Sequence, residues 1–193
     1  MPPLVNLRDY LELLRSNGQL LTIDEPVDPF LEIAEIHSRV IHRGGPALLF
    51  TRVKDSAFPV VTNLFGTNQR LEMAFGRRPV DFVRGLVDLA EHAMPLSPTT
   101  LWQRRSLFTD GLRIGLKQVR RGPVLDCCQQ PARLGSLPML TSWHSDGGAF
   151  VTLPLVYTEH PEGLGHNLGM YRIQRHDDTS TGIHWQIHKG GGY

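Results

Sequence analysis

Cysteine is almost missing from this chain: there are two, and they are neighbours, Cys127 and Cys128. Adjacent cysteines cannot build an ordinary disulfide framework and are too few for a zinc motif, so both read as packed or linker thiols of a reducing compartment. Charge of one sign is not in excess either, with 20 Lys plus Arg against 19 Asp plus Glu. That balance leaves no electrostatic footprint for a polyanion such as nucleic acid. No long apolar run and no signal-peptide pattern occurs, so neither a membrane span nor export is expected, and a cytoplasmic location is. A glycine-rich phosphate loop is missing after every strand-like run, which argues against a Rossmann-type nucleotide site.

What the first two thirds do contain is an alternation of helical and strand patterns. Asn6 is placed to cap a helix whose apolar positions Leu7, Tyr10, Leu11, Leu13 and Leu14 recur at helical spacing, and Asn17-Gly18 stops it. Residues 19–23 then read as a strand. Asp28-Pro29 begins a second helix with Ile33, Ile36, Val40 and Ile41 on its apolar side, ending at Arg43-Gly44-Gly45. Strands are expected at 47–50 and 59–62, and helices at 68–75, 81–93 and, after the break at 94–98, 100–115. The order gives an α/β or α+β layer over residues 1–122. Proline, glycine and the paired cysteines interrupt periodicity in 122–138, which places a domain boundary there and assigns 123–193 to a second domain.

The tail carries the chemistry. Asn167-Leu168-Gly169-Met170-Tyr171-Arg172 is followed by a polar turn and by His184-Trp185-Gln186-Ile187-His188. Residues 168–174 and 183–187 read as an antiparallel hairpin closed by the turn residues 175–182. Its open end would bring Asn167 and His188 together. One amide oxygen and one neutral imidazole, with open positions left, suit Mn²⁺ or Mg²⁺ better than a structural zinc. A plain strand-end histidine and a turn asparagine satisfy the same spacing. Six of the nine histidines follow residue 143, yet His144, His160, His166, His176 and His184 read as surface or hydrogen-bonding residues. His144-Ser145-Asp146 resembles a hydrolytic trio only in letters, because residues so close on one loop cannot form the required geometry.

These elements resemble the corresponding part of the UbiD-type reversible decarboxylases, the family of 3-polyprenyl-4-hydroxybenzoate carboxy-lyase and ferulic acid decarboxylase. Four further stretches resemble the family in the same order: Asn6-Leu7-Arg8-Asp9-Tyr10-Leu11, Gly44-Gly45-Pro46-Ala47-Leu48-Leu49-Phe50, Val61-Thr62-Asn63-Leu64-Phe65-Gly66-Thr67 and Leu137-Pro138-Met139-Leu140-Thr141-Ser142-Trp143. The resemblance implies an α+β fold, an N-terminal α/β layered domain followed by the first part of a split β-barrel flavin-binding domain. It implies prenylated FMN as cofactor, held through its phosphate by Mn²⁺ and K⁺. Asn167 and His188 match two metal ligands; the third, a glutamate, is expected beyond residue 193. Arg172 matches the arginine that orients the substrate carboxylate, and its glutamate partners are also expected downstream. Gly169, Met170, Tyr171 and Arg172 fall where the family's strand passes the flavin, and Thr152 falls on a barrel strand near it, as a hydrogen-bond donor or simply a strand residue.

By the same resemblance the reaction is non-oxidative decarboxylation of an aromatic or α,β-unsaturated carboxylic acid, with a flavin prenyltransferase supplying the cofactor. The family's members are longer, so the chain is expected to be a fragment, a truncated member or one half of a split enzyme. Alone, it is not expected to turn over. A module that keeps the fold without cofactor, and a homo-oligomer joined through exposed strands, are the alternatives.

Overall fold

The first helix starts where Asn6 predicts. In the computed structural model, which describes residues 4–76, 78–92, 102, 105, 109, 119–186 and 190, the Asp9 N–H donates to Asn6 Oδ1 at 3.0 Å and the Val5 N–H donates to Asp9 Oδ2 at 3.2 Å. A side-chain acceptor thus satisfies an amide that a helix start leaves unpaired. Helix α1 spans Leu7–Ser16. Gly18 closes it at φ 66°, and the Gln19 N–H donates to the Leu14 carbonyl at 2.8 Å.

Strand β1 (Leu20–Ile23), helix α2 (Glu32–His42) and strands β2 (Ala47–Phe50) and β3 (Val60–Thr62) follow. β1 and β2 are parallel, with Leu20 opposite Ala47, and α2 is the crossover that a parallel pair requires. β3 runs antiparallel to β2, with Val61 opposite Leu49. On this sheet Val27, Ile33, Leu48, Phe50 and Val53 form a buried core, against which Ile23, Ile36, Val40, Val60 and Leu140 pack.

Helix α2 starts later than Asp28-Pro29 suggests. Asp28 does cap, but it caps a turn: its Oδ1 accepts from the Phe30 N–H at 2.8 Å, and Glu32 Oε2 accepts from the Asp28 N–H at 2.7 Å. The Leu31 amide, at φ 66°, donates to the Thr141 carbonyl at 2.9 Å, and the Thr141 amide donates to the Pro29 carbonyl at 3.2 Å. A long-range partner therefore draws 28–31 into extended contact before the helix begins.

By compactness the chain forms two units. One comprises Met1–Leu13 and Thr67–Cys128, the other Leu14–Gly66 and Gln129–Tyr193. The first holds α3 (Asn68–Phe75), capped by Thr67, whose side chain accepts from the Arg70 N–H at 3.2 Å, and α4 (Arg78–His92). There the Tyr10 hydroxyl donates to the Arg70 carbonyl at 2.8 Å, and burial pushes that hydroxyl's pKa up. The helix expected at 100–115 lies outside the described residues, apart from Trp102, Arg105 and Thr109. Cys127 and Cys128 are free and exposed. Among the described residues no helix is long and apolar enough to cross a membrane.

The second unit also carries β4 (Phe150–Val151), β5 (Leu155–Glu159), β6 (His166–Met170), β7 (Ile173–Arg175) and β8 (Thr181–Ile183). They form one sheet of order β4-β7-β8 and a β5-β6 pair. The run 168–174 is two strands rather than one: β6 pairs with β5, with Asn167 opposite Thr158, and only β7 forms the expected hairpin, with Ile173 opposite Ile183. The chain leaves one pairing and enters the other at Tyr171 and Arg172, whose side chains have partners elsewhere. Among the described residues the sheets are open, and the fold is α+β.

The β7–β8 turn is locked by Asp177, whose Oδ1 accepts from the Thr179 amide at 2.7 Å and the Ser180 amide at 2.8 Å, while Oδ2 accepts from the Ser180 hydroxyl at 2.6 Å. The Ser180 hydroxyl first, then the Thr179 amide and hydroxyl, pull this carboxyl down to about 2. Since the folded value lies below the ordinary one, the stabilisation is present above the usual carboxylate range and is lost as pH falls through about 2. A carboxyl NMR titration is expected to show the Asp177 midpoint at about 2 and to show it raised by Ser180→Ala; equal midpoints contradict the assignment. In the core, Phe50→Ala is expected to cost about 3–5 kcal/mol in urea denaturation, and an unmoved midpoint contradicts the packing described.

Candidate functional site

The site is built from a turn inward. After the extended pair Leu140-Thr141, residues 142–146 fold back so that Asp146 Oδ2 accepts from the Ser142 N–H at 3.3 Å and the Trp143 N–H at 3.2 Å. Its other oxygen, Oδ1, accepts from Arg172 Nη2 at 2.8 Å. The Arg172 guanidinium carbon stands 3.5 Å from the Phe150 ring centroid, close enough for a cation–π contact that fixes the plane of the fork. The Arg172 side chain is 47% exposed and that of Asp146 14%, so the carboxylate is shielded while much of the guanidinium stays accessible. The hydrogen bond from Arg172, ahead of its charge and of the two amides, holds the Asp146 carboxyl below the usual range.

Asn167 lies on the other side of the Tyr171 kink. Its Nδ2 donates to the Tyr171 hydroxyl at 3.2 Å. This turns Oδ1 toward Gly190, where an added Cβ would stand 2.7 Å from that oxygen. Among the described residues no donor bonds to Asn167 Oδ1. Tyr171 folds back over Gly169, where an added Cβ would stand 2.5 Å from the Tyr171 ring, and packs against Trp185 with centroids 4.8 Å apart. Glycine is required at 169 because the ring occupies the space of a side chain.

Asn167, Gly169, Met170, Tyr171 and Arg172 line one cavity of about 520 Å³, with His184, Gln186 and Gly190 on its other wall. Five of the seven residues singled out in the sequence therefore meet. Thr152 does not join them: it lines a separate cleft of about 1400 Å³, bordered also by Phe150, Trp143 and Met139. His188 lies outside the described residues, and its neighbours Gln186 and Gly190 both line the smaller cavity. Among the described residues no three His, Cys, Asp or Glu side chains form a metal-holding group.

Three features escape the sequence reading. His184 is a cavity-wall residue, with Gln186 two positions on, and this period of two was the available signal. Asp146 is an acidic partner of Arg172 within this chain, and Phe150 is its platform. Neither pairing leaves a mark in local spacing, because 26 residues separate the ion pair.

The chain matches the family model of the 3-octaprenyl-4-hydroxybenzoate carboxy-lyase N-terminal domain over residues 11–90 and that of the carboxy-lyase's Rift-related domain over 117–193. It belongs to the UbiD family. The chain is similar to a protein of Chlamydia trachomatis, 50% identical over 188 residues that make up 97% of this chain and 32% of the relative. A protein of Chlamydia pneumoniae named as one subunit of 4-hydroxybenzoate decarboxylase is 47% identical over 186 residues, 96% of this chain and 32% of that one. The chain thus spans about a third of the length of the curated relatives it matches. Among solved structures, an evolved dimeric form of the UbiD-class enzyme HmfF from Pelotomaculum thermopropionicum, in complex with prFMN, matches with TM-score 0.66 and 26% identity over 94% of this chain and 38% of its own. The closed form of Sedimentibacter hydroxybenzoicus vanillic acid decarboxylase shares the fold, with TM-score 0.70 at 24% identity over 95% of this chain and 37% of its own.

Because the Tyr171 ring fills the space at residue 169, Gly169→Ala is expected to displace it, break the Trp185 contact and cost about 1–3 kcal/mol. Tryptophan fluorescence and urea denaturation check this; an unchanged emission spectrum and midpoint contradict it.

Proposed function

We propose that this chain is the cofactor-holding N-terminal portion of a non-oxidative decarboxylase that acts on an aromatic or α,β-unsaturated carboxylic acid through prenylated FMN. The observation that carries the reading is the convergence of Asn167, Gly169, Met170, Tyr171 and Arg172 on one cavity. Its size falls within the roughly 300–1,000 Å³ of typical ligand pockets. The donor set suits a metal-tethered, phosphorylated flavin: Asn167 offers an amide oxygen already turned from its Tyr171 partner, and the Tyr171 ring that lies over Gly169 gives the cavity an aromatic wall.

In this reading Asn167 and His188 ligate Mn²⁺, K⁺ assists in holding the phosphate, and a glutamate from outside residues 1–193 completes the set. Prenylated FMN, when bound, supplies the electron sink for loss of carbon dioxide. Arg172 binds and orients the substrate carboxylate, for which its planar, permanently charged fork is suited and a lysine is not. Gly169, Met170 and Tyr171 flank the ring. Thr152, which lines the larger cleft, would donate a hydrogen bond to the cofactor.

The remaining two thirds of the relatives' length supply the acid catalyst and the substrate cleft, either in the same polypeptide or as a separate partner chain. The naming of the Chlamydia pneumoniae relative as one subunit among several supports a multi-subunit arrangement. Division of the family segments near 122, a cytoplasmic location and cofactor supply by a flavin prenyltransferase belong to the same proposal.

The test is production of the full protein with a flavin prenyltransferase, followed by its absorbance spectrum, manganese content and carbon dioxide release from a panel of unsaturated and aromatic acids. A yellow, manganese-containing protein that releases carbon dioxide is expected. Arg172→Ala is expected to keep the cofactor while losing about 10²–10³-fold in turnover. A colourless, metal-free protein points instead to a module that keeps the fold alone, and unchanged turnover in Arg172→Ala removes the role given to that residue.

A further inference from the structure

Arg172 is not a free cation waiting for an acid. One arm of its fork is already taken by Asp146 at 2.8 Å, and its plane lies on Phe150. Asp146 is itself immobilised, since its second oxygen accepts from the Ser142 and Trp143 amides at 3.3 and 3.2 Å. A guanidinium held at Nη2 and stacked on one face is restrained in its rotation, while the donors that do not face Asp146 remain available. The pair is neutral as a unit. An incoming anion therefore meets oriented hydrogen-bond donors more than net positive charge, and this favours a planar carboxylate that can use two parallel donors over a small spherical anion.

We infer that Asp146 is a positioning residue for Arg172, which turns a generic cation into a fork selective for planar carboxylates. The inference rests on the decarboxylase reading for the identity of the anion and on the Ser142–Asp146 turn for the geometry. The turn thereby gains a role of its own, since the amides of Ser142 and Trp143 aim the Asp146 carboxylate and, through it, the guanidinium.

The test uses the full protein with its cofactor, benzoate as probe, Trp fluorescence as the binding signal and chloride as the spherical competitor. Asp146→Asn keeps an oxygen for the two amides and removes the charge. It is expected to weaken benzoate binding by about tenfold or more, to make that binding newly sensitive to chloride, and to lower kcat more than it raises KM. Asp146→Glu, which restores the charge, should recover part of the loss and suppress the chloride sensitivity. Asp146→Asn that binds benzoate like the unmutated protein, with no new chloride competition, overturns the positioning role while leaving the decarboxylase reading intact. An unmutated protein that neither binds benzoate nor releases carbon dioxide from any acid overturns both. Should the variants fail to fold, ¹⁵N spectra of the unmutated protein decide: hindered rotation of the Arg172 Nη groups is expected, and free rotation overturns the inference.

Discussion

Two residues in extended conformation, Leu140 and Thr141, hold the second unit together. Thr141 exchanges backbone hydrogen bonds with Pro29 and Leu31, and Leu140 exchanges them with Phe150. The Leu140 side chain also packs on the core formed by α2 and the β1-β2-β3 sheet. Everything that shapes the site hangs from this connection: β4 begins at Phe150, and the turn that presents Asp146 begins at Ser142. The segment 29–31 before α2, the Leu140-Thr141 pair and β4 are thereby tied together by main-chain hydrogen bonds, whose geometry tolerates little variation.

Local physics was legible in the sequence where a residue's partner lies within a few positions. Asn6 caps α1, Gly18 ends it, Thr67 caps α3 and Asp177 closes the β7–β8 turn, all through contacts within four residues. Strands β1, β2 and β3 fall within a residue of their apolar runs. The reading fails where a distant partner wins. Asp28-Pro29 looks like a helix start, but Thr141 claims the Leu31 amide and the helix waits until Glu32. Residues 168–174 look like one strand, but Tyr171 turns back toward Asn167 and Arg172 reaches Asp146, so the run divides. At the candidate site, residue types together with the family resemblance singled out Asn167 and Arg172, while the orientation given by Tyr171, Asp146 and Phe150 required three dimensions.

The electrostatics of the cavity combine restraint with availability. Asn167 contributes a neutral oxygen, and its orientation follows from the other end of the amide being occupied by a phenol. Arg172 contributes a permanent charge already balanced by a shielded carboxylate. Neither group must be desolvated from a fully solvated, mobile state when an anionic ligand arrives, and such preorganisation lowers the entropic cost of binding. Phe150 joins the two spaces through one side chain, since it lines the larger cleft together with Thr152 and carries the Arg172 guanidinium over its ring.

The most direct measurement is an anomalous difference map recorded at the manganese edge from crystals of the full protein grown with flavin and Mn²⁺. A single peak within bonding distance of Asn167 Oδ1, with the flavin ring running past Gly169 toward Arg172, is the predicted result. A peak elsewhere, or a flavin lodged wholly in the cleft around Thr152 with Asn167 untouched, contradicts the placement of the site.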